Sequence, residues 1–367
     1  MKAAVLRDIG GELTIEDITL GTPRHNEVLV EVRATGLCHT DLHFMEGHLP
    51  ITTPAVLGHE TAGVVLAVGA GVSYLKPGDH VIGCLSAFCG CCELCLSGHP
   101  SICEGQDRLV RPADQPPRLS STDRPVTQFM HLSGFAERIL VHENTLVRID
   151  PAMPLDRAAL IGCGMMTGFG AVTRTAGVMA GQSVAVIGCG AVGLSTIQSA
   201  RLAGAVDVVV VDVNAARRAL ALRFGATAAI DPADGDPVAT VRALTGGKGV
   251  HAAFEAVGKA PLVEQAFLMT RKGGKTVMIG LMGLEERVNL PFGHFIAERQ
   301  VMGCDMGSNQ FRTDMPRLVR LYLDGRLNLD DMLTSRLPLG RINEGFAAMK
   351  RGEGIRAIVD FQAGETR

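Results

Sequence analysis

At 367 residues, 47% of them hydrophobic and 20% charged, the chain carries enough apolar material for roughly two ordinary cores, and its balance is globular rather than disordered. A formal net charge of -3 provides no positive field for nucleic acid or anionic membranes. Met1 to Asp8 turns charged too early for a secretory leader and no apolar run reaches the ~18 residues of a membrane span, so a soluble, cytoplasmic protein without nucleic-acid or membrane partners is expected.

Residues 1–164 read as short strands and turns. Lys2–Leu6, Glu27–Val32, Ala62–Val68 and His80–Gly83 are strand-like and separated by Gly, Pro and Asp. Within this β-rich part, Cys89, Cys91, Cys92, Cys95 and Cys103 crowd into a lobe at 89–103, where metal explains them better than disulfides. The stretch 107–128, dense in Pro, Arg, Asp and Ser, is expected to be a long surface loop.

From 165 to 305 the texture alternates between buried strands and helices. Ser183–Ile187, Asp207–Val211, Ala252–Phe254 and Thr276–Ile279 are near-continuous apolar runs, as parallel strands covered on both faces require. Helices are expected at Ala191–Leu202 and Ala215–Phe224, giving an α/β unit with a doubly wound parallel sheet. Residues 306–367 change pattern again and end in a helix-like Glu344–Lys350 and a strand-like Ala357–Phe361.

Gly188-Cys189-Gly190-Ala191-Val192-Gly193 lies between a strand-like run and a helix-like one. In that context the first Gly permits a tight turn, the second admits a pyrophosphate, the third allows close helix packing, and the helix N-terminus attracts the phosphates. Asp212 ends the next strand, where a carboxylate accepts from adenosine ribose hydroxyls and repels a 2′-phosphate, favouring NAD over NADP. Arg217 is a cation that could accommodate phosphate, but following the Asp it better serves to position the ribose. Without this context the glycines would mark only a tight turn.

The spacing Cys89-x2-Cys92-x2-Cys95-x7-Cys103 supplies the ligands of a tetrahedral structural zinc site. Cys91 is a competing thiol, and an iron–sulfur cluster is the rival occupant. A dispersed set, Cys38, His59 with Glu60 beside it, and Cys163, is weaker by spacing alone. A Cys2His set leaves a fourth position for water or substrate, as catalytic zinc requires.

Together these segments resemble the zinc-dependent alcohol dehydrogenases of the medium-chain dehydrogenase/reductase superfamily over nearly the whole chain. Gly58-His59-Glu60 with Gly63 matches the family's zinc signature, Leu75 to Val81 its usual strand entry, the four cysteines its structural zinc, and Gly188 to Gly193 its cofactor loop. The resemblance implies a GroES-like catalytic domain built from both chain ends, with an inserted Rossmann domain and the active site in the cleft between them. It also implies two zinc ions per chain: a catalytic one on Cys38, His59 and Cys163, with Glu60 behind it as a transient ligand, and a structural one. Asp41 matches the carboxylate that orients the histidine ligand.

By the same resemblance Thr40 accepts the alcohol proton and passes it through the cofactor ribose to His43, imidazole being the side chain that ionises nearest pH 7. His39 and Arg356 match contacts to the cofactor pyrophosphate. Taken alone, Thr40 is an ordinary structural residue and His43 a solvated one. The implied reaction is reversible oxidation of a primary alcohol, aromatic or allylic, to its aldehyde with NAD. Leu49, Leu85, Leu109 and Met306 are expected to line its pocket. The rival reading is a thiol-dependent formaldehyde dehydrogenase acting on an S-hydroxymethyl thiol adduct. Those enzymes hold the glutathione amine with two acidic residues where this chain has Gly47 and Leu49. A non-catalytic NAD-binding protein stabilised by one zinc is the reading from another class. Relatives are homodimers or homotetramers.

Overall fold

The computed structural model describes residues 1–122 and 124–362. Asp123, within the expected surface loop, and residues 363–367 of the return segment lie outside them. The chain forms two compact units, Met1–Cys163 with Gln310–Arg367, and Gly164–Asn309. The joins expected from sequence were 164/165 and 305/306. The second falls later because a Cβ on Gly170 would lie 2.0 Å from the Gly307 carbonyl oxygen, and Ser308 shares a 2.9 Å hydroxyl hydrogen bond with Thr175. Residues 306–309 are therefore packed into the second unit.

The first unit is built around the strand Glu27–Gly36. Val28, Val30 and Val32 alternate inward and are at most 1% exposed, the period-two pattern that places one face of a strand on a core. This strand pairs antiparallel with Glu60–Val68, Arg138–His142 and Arg356–Asp360. The last pairing sets Ile358 opposite Gly36 and brings the chain's return segment into the sheet begun near its N-terminus. The sheet runs Leu146–Arg148, His80–Gly83, Glu60–Val68, Glu27–Gly36, Arg356–Asp360, Leu333–Leu337. A second sheet orders Leu13–Asp17, Lys2–Leu6, Ala55–Val56 and Thr127–Gln128 over a core that includes Phe129 and Phe135.

The second unit carries six parallel strands in the order Ala228–Ile230, Asp207–Val211, Ser183–Ile187, Val250–Glu255, Thr270–Met278, Gln300–Gly303. All five residues of Ser183–Ile187 are buried, because helices such as Ala191–Leu202 and Ala260–Met269 cross between the strands and cover the sheet. The order is that of a doubly wound dinucleotide fold. The helix Phe311–Leu323 was not foreseen. Among the described residues, no helix is long and apolar enough to cross a membrane.

The stretch read as a plain surface loop is more ordered than expected. It holds a 3-10 turn at Gln106–Leu109 and two short strands, Leu119–Ser120, paired with Thr19–Leu20, and Thr127–Gln128, paired with Ala55–Val56. With little apolar periodicity of its own, it is fastened by charge. Arg111 Nη2 lies 2.5 Å from Glu27 Oε2 and Arg118 Nε lies 2.8 Å from Glu27 Oε1, with all three side chains at most 7% exposed. Burial favours the neutral Glu27 carboxyl, but the two guanidiniums outweigh it and hold the pKa at about 2, below 4.5. A carboxylate depressed in the folded state contributes stability that is complete above its unfolded pKa and lost as the pH falls through the folded one. Glu27→Gln should therefore destabilise the unit by about 3 kcal/mol at pH 7, as breaking a buried ion pair does. In denaturant titrations the difference from the parent chain should shrink between pH 4.5 and about 2; a pH-independent difference would contradict the ion-pair account.

Candidate metal centres and dinucleotide loop

Cys38 caps the short helix His39–Met45, and Asp41 at its third position accepts from the Cys38 backbone N–H at 3.2 Å, half of the box that closes a helix start. The same carboxylate, fully buried, accepts from Gly58 N at 3.0 Å and from His59 Nδ1 at 3.1 Å. Three donors on one acceptor thus tie the helix start to the turn before the strand Glu60–Val68. With Nδ1 engaged, His59 presents Nε2, which is buried and has no hydrogen-bond partner. The ligand atoms of Cys38, His59, Glu60 and Cys163 all lie within 4.8 Å of one another, and all four residues are buried. Cys163 comes from the π-helical turn Ile161–Met165, an irregularity common where a helix serves a site.

Glu60 occupies space that only glycine leaves open. A Cβ on Gly36 would stand 2.1 Å from Glu60 Oε2. Neither Glu60 oxygen has a hydrogen-bond partner, although Arg356 Nη1 forms an ion pair with Oε1 at 3.1 Å. Burial pushes the Glu60 carboxyl up to about 8, against the pull of Arg356. At Cys38 the hydrogen bond from Cys163 holds the thiol well below its ordinary range, while that same bond and burial push Cys163 well above it. The two sulfurs therefore divide one proton between them. Burial resists a charged imidazole at His59, yet Asp41 and Cys38 hold its pKa well above the usual value. Two sulfurs, an orphaned imidazole nitrogen and a carboxyl group without a hydrogen-bond partner, all buried, fit a divalent cation with nitrogen and sulfur preference, as zinc has.

Cys89, Cys92, Cys95 and Cys103 converge equally tightly. Cys92 Sγ and Cys103 Sγ are 3.8 Å apart, which is the edge of a tetrahedron with zinc–sulfur bonds of about 2.3 Å. Backbone N–H groups point at the sulfurs: Cys89 N at Cys103 Sγ (3.2 Å), Cys92 N at Cys89 Sγ (3.3 Å) and Gly105 N at Cys103 Sγ (3.3 Å). The N–H groups of Cys91 and Cys92 draw the Cys89 thiol down to about 6, against the partial desolvation that raises it. Cys91 is outside the set and turned to Arg108, whose Nη1 is 2.9 Å from its Sγ.

In the second unit, the loop between the strand Ser183–Ile187 and the helix Ala191–Leu202 assigns each glycine a different task. Gly188 has φ +94°, a conformation other residues rarely adopt. A Cβ on Gly193 would be 1.8 Å from the Gly188 carbonyl oxygen, whereas one on Gly190 would meet nothing within 4 Å. The bare Gly190 therefore has no internal cause and leaves room for a ligand beside the helix N-terminus at Ala191 and Val192. Asp212 accepts from Cys189 N at 2.6 Å and Asn214 N at 2.8 Å, which sets its carboxylate against the loop. Arg217 lies in the first turn of the next helix, its N–H bonded to Asn214 Oδ1 at 3.1 Å. Two supporting residues escaped the sequence reading. Arg218 donates to the Asp212 carbonyl at 2.7 Å, and buried Glu255 receives Val257 N and Gly258 N, each at 2.8 Å. Neither belongs to a recognisable motif.

Thr40 and His43 are half-buried and His39 is exposed on the helix that Cys38 starts. Arg356 is 5% exposed, donates to the Leu37 carbonyl at 2.7 Å and pairs with Glu60. The cause is the pairing of its strand with Glu27–Gly36, a contact no sequence spacing reveals. Of the expected pocket residues, Leu109 is buried with its carbonyl bonded to Arg118 at 2.5 Å, and Leu85 packs on the core of Val28 and Val30. Met306 belongs to the second unit, where its Sδ accepts from Thr167 Oγ1 at 3.4 Å. Leu49 is half-buried. Because Asp41 orients His59, Asp41→Asn should weaken cation retention at the buried site by about 10- to 100-fold in chelator competition, leaving the four-cysteine site untouched; equal loss at both sites would refute that role.

Comparison with known proteins agrees with this geometry. Residues 24–151 match the alcohol dehydrogenase GroES-like domain and residues 191–323 the zinc-binding dehydrogenase domain. An S-(hydroxymethyl)glutathione dehydrogenase of Haemophilus influenzae is 37% identical over 98% of this chain and 97% of its own. Alcohol dehydrogenase 1 of Pisum sativum is 36% identical over 98% and 97%. The crystal structure of benzyl alcohol dehydrogenase from Acinetobacter calcoaceticus superposes with a TM-score of 0.92 at 30% identity, covering 98% of both chains. With a buried Cys38, His59, Glu60 and Cys163 set, a four-cysteine lobe and both matching domains, the chain belongs to the zinc-dependent alcohol dehydrogenases of the medium-chain dehydrogenase/reductase superfamily.

Proposed function

We propose that this protein catalyses the reversible, NAD-dependent oxidation of a primary alcohol of aromatic or allylic type to its aldehyde. The observation that carries the reading is the buried Cys38, His59, Glu60, Cys163 set with its orphaned His59 Nε2. Cys38, His59 and Cys163 would hold a zinc ion, which would supply Lewis acidity at the alcohol oxygen, and bound NAD would supply the hydride acceptor. Cys89, Cys92, Cys95 and Cys103 would hold a second zinc that ties the lobe together. Overall an alcohol and NAD+ become an aldehyde, NADH and one proton.

The remaining work belongs to side chains of this chain. Asp41 keeps His59 in the tautomer that leaves Nε2 free, and Glu60 waits behind the site, restrained by Arg356. Thr40 accepts the alcohol proton and His43 delivers it towards solvent. Gly188, Gly190, Ala191, Val192 and Gly193 receive the pyrophosphate, assisted by His39 and Arg356. Asp212 takes the ribose hydroxyls and disfavours a 2′-phosphate, with Arg217 alongside.

Oxidation of an S-hydroxymethyl thiol adduct is the second reading, favoured by the name of the Haemophilus influenzae relative. Against it stands the segment after the first helix. Glu46 Oε1 is engaged by Lys350 at 2.8 Å, Gly47 has no side chain, and Leu49 is apolar. The benzyl alcohol dehydrogenase likeness supports the first reading. Assembly into a homodimer or homotetramer is proposed through the sheet-edge strand Gln300–Gly303, with Phe292 and Ile296 exposed in the segment before it.

Metal analysis of the purified chain should give two zinc ions, and NADH formation should be fastest with benzyl-type or allylic alcohols among a panel that includes formaldehyde with small thiols. Preference for the thiol adduct would reverse the substrate choice. Cys163→Ala should abolish turnover while leaving NADH affinity unchanged. His43→Ala should slow turnover at neutral pH but much less at high pH, where hydroxide takes the proton; equal loss at every pH would count against the relay.

A further inference from the structure

The helix His39–Met45 ends in a turn that returns a second histidine to His43. Gly47 has φ +78°, its N–H bonds the Phe44 carbonyl at 3.2 Å, and the N–H of His48 bonds the His43 carbonyl at 2.9 Å. This paired reversal commonly seats an apolar contact between the residue at its outer N–H and the residue whose carbonyl that N–H reaches. Here both positions are histidines. Their Nδ1 atoms are 3.1 Å apart and their ring centroids 5.4 Å apart. The turn is tightly specified, since a Cβ on Gly47 would lie 2.6 Å from Ile9 Cγ2. His43 is half-buried, whereas the His48 side chain is 61% exposed. The charged groups facing the pair are Glu46, with Oε2 at 3.8 Å from His48 Nδ1, and Lys350 of the C-terminal helix, which holds the other Glu46 oxygen.

A hydrogen bond between two Nδ1 atoms couples the tautomers, because one ring must carry the hydrogen and the other the lone pair. We propose that His48 is the outer member of a two-imidazole proton terminal, fixing the tautomer of His43 and handing its proton to solvent. This rests on the alcohol-oxidation reading. With the shared hydrogen on His43 Nδ1, His43 Nε2 is free to receive the proton released for each hydride transferred. The Nδ1 proton then crosses to His48 Nδ1, and His48 Nε2 gives one proton to water, so one enters and one leaves. Both rings finish in the opposite tautomer, the state that carries a proton inward for aldehyde reduction. The first state returns when water protonates His48 Nε2, the His48 Nδ1 hydrogen crosses back to His43 Nδ1, and His43 Nε2 gives its hydrogen to water, again one proton in and one out. His48 acts through His43 and is a positioning residue.

The test is His48→Gln in the zinc- and NAD-loaded enzyme, an exposed substitution that leaves the turn's backbone bonds intact. Turnover at pH 7 should fall by about 3- to 10-fold, less than loss of a direct acid–base group. KM should stay constant, the deficit should vanish at high pH, and added imidazole should restore the rate. Nitrogen-15 spectra should show the His43 ring moving from its Nδ1–H form to a mixture of tautomers. A deficit equal at all pH values, no rescue by imidazole, or an unchanged His43 spectrum overturns the proposal. If the parent oxidises alcohols but His48→Gln matches its pH profile, this inference fails while the proposed function stands. If the parent oxidises none of them, both fall.

Discussion

The Asp41 carboxylate is the constraint on which the buried site depends. A charged group with no exposure must have its lone pairs taken up. Here the donors are Cys38 N, Gly58 N and His59 Nδ1, from segments far apart in the chain. Satisfying one buried charge therefore fixes the helix start that carries Cys38, the turn at Gly58 and the tautomer of His59 together. The same helix bears Thr40 and His43, so the proposed proton path takes its position from the interaction that shapes the metal ligands.

The two candidate metal centres use opposite means to collect their sulfurs. The cysteine lobe is local: short turns and N–H groups aimed at thiols hold four side chains from one stretch. The Cys38, His59, Glu60, Cys163 site is assembled by the sheet. Glu27–Gly36 runs beside Glu60–Val68, and Gly36 clears the space in which Glu60 stands. Arg356 enters from the return strand on the same sheet and sets a positive charge against Glu60. A carboxylate so placed is neither free nor fully satisfied, which suits a group that approaches a cation without being a permanent ligand.

Charge performs a different task at the edge of the first unit. The stretch around Arg111 and Arg118 has few apolar residues to bury, and it is ordered by converging on Glu27 at the start of the central strand. Polar composition there signalled a loop correctly in part, but composition carries no information on which distant carboxylate gathers the arginines.

Local patterns in the sequence determined much of this protein. Apolar alternation marked the strands, the Gly188–Gly193 spacing marked the glycine-rich turn between strand and helix, and the lobe's cysteine spacing marked a four-thiol cluster, because each depends on neighbours a few residues apart. Family resemblance joined Cys38, His59 and Cys163 where spacing alone did not. Only the tertiary structure decided that Arg356 lies behind Glu60, that residues 306–309 pack with the second unit, and that His48 folds back onto His43. Those outcomes follow from strand pairing, close backbone approach and the handedness of one turn, which act across the chain or through φ angles that residue order alone does not express.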